Sequence, residues 1–96
     1  SVLQRLVRDE TRLVTDAETF QEILHRYTAI CRIEAIQMAY DALMGIVDEI
    51  FPIWSDEMIL AKDLLLASSG VSARDAVHAA VMKKNNVEQI FSFEVF

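Results

Sequence analysis

Apolar positions along the chain repeat at helical spacing, broken by short runs that suit strands. Phe20, Ile23, Leu24, Tyr27, Ile30 and Cys31 predict an amphipathic helix over residues 16–31. Thr15, with Glu18 three places on, has the spacing of a capping box at its start. Before it, Arg12, Leu13, Val14 and Thr15 form a short apolar run, and residues 2–8 read as the end of an earlier helix. A second stripe of Ile36, Ala39, Tyr40, Leu43, Val47 and Ile50 predicts a helix over 34–49, with Glu34, Asp41 and Asp48 on its opposite face. Residues 50–54 read as a strand, and Ser55 as the N-cap of a helix reaching Ser68, where Ser69 and Gly70 end it. A last helix over 73–84 starts at Ser72 and closes at Asn85 and Asn86. Residues 87–93 are the best candidate for a buried strand.

Strand-like runs alternating with helices point to parallel strands joined by crossover helices, an α/β sandwich. Four or five helices without a sheet is the alternative, because runs as short as 12–15 carry too little periodicity to decide.

Composition narrows this picture. The 96 residues fit one domain with one modest core, and a 53% hydrophobic content excludes disorder. Two glycines and one proline exclude designs built from many tight turns. The net charge of −6 argues against a broad basic surface for nucleic acid. That excess sits between Ile33 and Ala61, which has six acids and no Lys or Arg; the rest balances at nine acids against nine bases. A basic partner segment or solvent is the expected neighbour of this acidic middle. With Cys31 alone no internal disulfide forms, and a small buried hydrophobe in a reducing compartment is the expectation. No apolar run is long enough to span a membrane, and the chain reads as cytoplasmic.

Most catalytic signatures are absent. Two isolated glycines make no phosphate loop, and one cysteine with two histidines makes no Cys/His zinc site. Carboxylates remain, and they suit a hard cation such as Mg2+ or Mn2+. Asp75 lies in the first turn of a helix of small apolar residues, so partial burial is expected. It is read either as a ligand or as a capping-box acid of Ser72. Glu22 lies off its helix's apolar stripe and is read either as functional or as an exposed partner of Arg26. His78, one turn beyond Asp75, is a proton donor, a ligand or a hydrogen-bonded packing residue. His25 reads as a surface residue, and Trp54 and the phenylalanines as core. Arg74, Lys83 and Lys84 are candidates to touch phosphates.

Taken together, several segments resemble the PIN-domain ribonucleases, closest to the VapC-type toxins of toxin–antitoxin pairs. They are Val14-Thr15, residues 20–24, residues 50–53, Ala61-Lys62, residues 72–80 and Ile90-Phe91-Ser92-Phe93. The stretch 72–80 is the most specific. The resemblance implies a three-layer α/β/α sandwich with a central parallel sheet. It also implies an acid cluster that binds one or two divalent ions and hydrolyses RNA phosphodiesters. By position in the motifs, Glu22 and Asp75 belong to that cluster, and Glu94 is the nearest candidate for the acid that follows the last strand.

By the same resemblance, residues 1–96 form a single PIN-like domain lacking the family's N-terminal strand, with its aspartate, and the extreme C-terminus. Asp9 and Asp16 lie in the wrong context to replace that aspartate. The 96 residues alone are then expected to bind metal weakly and cut RNA little. Two functions follow: a Mg2+- or Mn2+-dependent endoribonuclease with an RNA substrate, a cognate antitoxin and a homodimeric state, or a catalytically silent fragment serving as a protein-interaction module.

Overall fold

A computed structural model describes residues 12–92. Its centre is a pair of parallel strands, β1 (Val14–Asp16) and β2 (Glu49–Phe51), in the register Val14 to Glu49, Thr15 to Ile50 and Asp16 to Phe51. Two bonds extend the pairing backwards: the Leu13 N–H donates to Asp48 Oδ2 and the Asp48 N–H to the Leu13 carbonyl, both at 2.7 Å. Parallel strands need a long crossover. Here it comprises α1 (Ala17–Ala29), a 3₁₀ turn (Ile33–Ala35) and α2 (Ile36–Ile46), followed after β2 by α3 (Ser55–Ala67) and α4 (Ala73–Asn85). The class is therefore α/β, and the sheetless bundle is excluded.

Successive carbonyls of an extended strand point to opposite sides. Leu13 points its carbonyl toward Asp48, while Val14 accepts from the Phe91 N–H at 2.9 Å. The Thr15 hydroxyl adds a bond to the Phe91 carbonyl at 2.5 Å. Phe91 thus caps the edge of β1 that β2 leaves open. This is less than the strand expected over 87–93. The Val87 N–H is taken by the Met82 carbonyl at the end of α4, and a single backbone bond at Phe91 makes no ladder within the described residues.

Several helix ends differ from the sequence pattern for local reasons. The cap of α1 is Asp16, not Thr15: the Thr15 hydroxyl is engaged by the Phe91 carbonyl, and Asp16 Oδ1 accepts from the Thr19 N–H at 3.2 Å. Cys31 is exposed at φ +58°, past the helix end, so it is no buried hydrophobe. The second helix stops at Ile46 because Val47 is already extended and leads into the pairing with Leu13. Trp54, expected in the core, is instead exposed at the cap of α3, where its backbone N–H donates to Glu57 Oε2 at 2.8 Å. The start of α4 is as read, with Ser72 Oγ accepting from the Asp75 N–H at 3.0 Å.

Two apolar clusters hold these elements. Ala61, Ala76, Val77 and Ala80 let α3 and α4 approach closely, flanked by Leu60, Leu64 and Leu65. Val14, Phe51 and Val81 join the sheet to α4, with Val87 and Ile90 against them. Among the described residues, no helix is long and apolar enough to cross a membrane.

Candidate active site

The end of β1 and the first two turns of α1 face α4. Asp16 is fully buried, Glu22 is 5% exposed and His78 is 9% exposed. Ionisable groups survive in such a setting only when paired. His78 supplies the pairing. Its Nδ1 lies 2.7 Å from Asp16 Oδ2 and its Nε2 lies 2.9 Å from Glu22 Oε1. Both ring nitrogens face carboxylate oxygens, the arrangement of a doubly donating imidazolium. Burial pushes the His78 pKa down. The hydrogen bonds to Asp16 and Glu22, with their charges, outweigh it and raise the ring from 6.5 to about 9.

Glu22 has a second partner. Its Oε2 lies 3.4 Å from Arg74 Nη1 as an ion pair. Yet that buried oxygen receives no hydrogen bond. The expected surface pairing with Arg26 is not what forms, and Arg26 Nε is itself buried without a partner. Glu18, half-buried one turn before Glu22, belongs to the same field. Burial pushes its carboxyl up, His78 opposes this, Glu22 and Asp16 add to it, and Arg74 opposes it.

These side chains flank an open cleft of 510 Å³. Glu18, Glu22, His25 and Arg26 line it from α1, and Ala73, Arg74 and Val77 from α4. It therefore combines a carboxylate wall with arginines on its rim, a pairing suited to a phosphate ester held beside a cation. His25 is exposed, as expected, but faces this cleft.

The sequence candidates fare unequally. Glu22 lies at the centre of the site. Asp75 is exposed rather than partly buried: its backbone is fixed by Ser72 at the start of α4 and it is not on the cleft wall, although its neighbour Arg74 is. Glu94 lies outside the described residues. Asp16, set aside in the sequence, is bound to the site through His78. Its signal was its place at the end of an apolar run, where a buried acid needs a partner, but that partner lies 62 residues away.

Among the described residues no three His, Cys, Asp or Glu side chains converge to cage a metal ion. The site offers instead one buried carboxylate oxygen without a hydrogen bond, Glu22 Oε2, on a residue of the cleft wall and with the Arg74 guanidinium near it. That fits a small hard cation, which is held by one or two carboxylates while water and phosphate oxygens complete its shell.

Comparison with known proteins agrees with this architecture. The PIN domain matches residues 1–94. A VapC ribonuclease of Mycobacterium bovis and ribonuclease VapC13 of Mycobacterium tuberculosis are each 48% identical over 93 residues, covering 97% of this chain and 71% of theirs. Ribonuclease VapC23 of M. tuberculosis is 30% identical over 92 residues, 96% of this chain and 72% of that protein. No solved structure matches the chain significantly. With nearly its whole length matched by the family, and 48% identity to two VapC ribonucleases over 93 aligned residues, the chain belongs to the PIN-domain family, in its VapC branch.

Proposed function

We propose that the protein is a metal-dependent endoribonuclease, the toxin of a toxin–antitoxin pair, acting in the cytoplasm as a homodimer and restrained by a cognate antitoxin. One observation carries the reading: a nearly buried glutamate, Glu22, presents an oxygen without a hydrogen bond beside a cleft rimmed by arginines. Glu22, Asp75 and Glu94 are the acids that would hold Mg2+ or Mn2+. Such an ion, when bound, lowers the pKa of a coordinated water and offsets charge developing on the phosphate. The chain's own residues do the rest. Arg74, half-exposed at the start of α4, holds a phosphate oxygen on the rim with Arg26. Val77 and Met58 close the apolar side of the cleft.

A catalytically silent module for protein interaction is the second reading, and the exposure of Asp75 away from the cleft wall favours it. One experiment decides. RNA is incubated with the full-length protein and Mn2+ or Mg2+, with and without EDTA. The nuclease reading expects cleavage that EDTA abolishes, and that Glu22→Gln and Asp75→Asn each reduce by at least about a hundredfold. Intact RNA under every condition, with the variants changing only stability, would leave the interaction module.

A further inference from the structure

Resting on the reading of Glu22 as a metal-holding acid, we infer that His78 is the positioning residue of the site. A glutamate has three rotatable side-chain bonds, so its carboxylate samples several rotamers unless something fixes it. Here one oxygen is fixed: His78 Nε2 donates to Glu22 Oε1 at 2.9 Å. The ring cannot turn away, because its Nδ1 donates to Asp16 Oδ2 at 2.7 Å. Asp16 is immobile in its turn. Its Oδ1 accepts from the Thr19 N–H and lies 3.4 Å from the Thr19 hydroxyl, and its backbone is registered opposite Phe51 in the sheet.

An unbroken series of contacts thus runs from the sheet through Asp16 and His78 to Glu22. It settles which of the two Glu22 oxygens is left over. Oε1 belongs to His78, and Oε2 receives no hydrogen bond. Among the described residues its one partner is the half-exposed Arg74 guanidinium at 3.4 Å, and a network serving stability alone gains nothing by leaving a buried acceptor without a hydrogen bond. Leaving it free of hydrogen bonds is useful when a ligand is to be met there. Partners outside the first ring of ligands commonly set metal affinity in this way.

The test uses the full-length protein and Mn2+ titrated by calorimetry, with thermal melts and steady-state RNA cleavage in parallel. His78→Phe is expected to weaken Mn2+ binding by about 10- to 100-fold. It should also lower kcat while leaving KM for RNA within about threefold. The double variant Asp16→Asn, His78→Gln rebuilds the contact with two amides: the one at position 16 donates to the new carbonyl, and the new amide donates to Glu22. It is expected to recover most of the lost affinity. Folded His78→Phe that binds Mn2+ like the wild type overturns the inference. So does a folded double variant no better than His78→Phe.

A measurement on the wild type covers the case in which neither variant folds. In spectra of protein labelled at histidine nitrogen, Mg2+ must shift the Nε2 resonance of His78, and an unmoved resonance overturns the inference. Glu22→Gln separates the two claims. Lost binding in Glu22→Gln with full binding in His78→Phe removes the positioning role alone. Unchanged binding in Glu22→Gln removes the reading of Glu22 as a ligand.

Discussion

His78 Nδ1 and Asp16 Oδ2 stand 2.7 Å apart in the interior although 62 residues separate them in the chain. Burial opposes a charged ring there, and the bonds to Asp16 and Glu22 overcome it, taking the pKa from 6.5 unfolded to about 9 folded. A group that binds its proton more tightly when folded stabilises the fold while protonated. That contribution is complete below pH 6.5 and is lost as the pH rises through about 9. Urea unfolding in EDTA should show the wild-type midpoint falling across this window, and the midpoint of His78→Gln changing less. Parallel profiles would contradict the assignment.

Lys84 joins the last turn of α4 to the first turn of α3. Its ammonium donates to Glu57 Oε1 and Asp56 Oδ2, both at 2.6 Å. Glu57 is only 2% exposed, whereas Asp56 is exposed. Removing the cation leaves a buried carboxylate with the Trp54 N–H alone. Lys84→Met should therefore lower the melting temperature clearly, and Asp56→Asn far less. Equal losses would mean that burial of Glu57 is not what makes the contact matter.

Asn86 closes α4 at φ +56° and ψ +44°, in the left-handed region. A side chain with a Cβ and no local hydrogen bond is strained there. Asn86→Ala should cost about 1 kcal/mol, and Asn86→Gly should be neutral or slightly stabilising. Thermal melts of the two variants give the comparison, and their order is the prediction.

Thr15 ties Phe91 to the free edge of β1 through its hydroxyl. Thr15→Val keeps the shape and removes the donor, so it should cost about 1 kcal/mol. The Phe91 amide should exchange with solvent faster in the variant. Unchanged exchange would show that the backbone bond to Val14 suffices to hold the segment.

Helix type and order were legible in the residues, from the apolar stripes of α1 and α2 and the Ser72 cap of α4, while the caps of α1 and α3 fall one residue from Thr15 and Ser55, where the sequence pattern puts them. Ser72 and Asp75 encode the start of α4 within four positions. The misplaced features depend on distant partners. Trp54 is apolar enough for a core, yet it caps α3 on the surface because Glu57 reaches back to its N–H. Glu22 and Arg26 look like a surface pair one turn apart, but Glu22 turns inward to groups 52 and 56 residues away, Arg74 and His78. Asp16 could not be read as a site residue while its only signal was its neighbours. Periodicity reports which face of a helix is apolar and carries nothing about which acids another helix will cover.

The two walls of the cleft have different dates of birth. A ribosome delivers Asp16, Glu22 and all of α1 well before Arg74 and His78 emerge. Until α4 docks, Asp16 and Glu22 lack their partner His78 and the cleft lacks its second wall. Pairings so far apart in sequence form late because the intervening chain must first be closed into a loop. On the proposed function, the cleft is therefore complete only once α4 has been made and has docked, so cleavage of RNA waits on the later part of the fold.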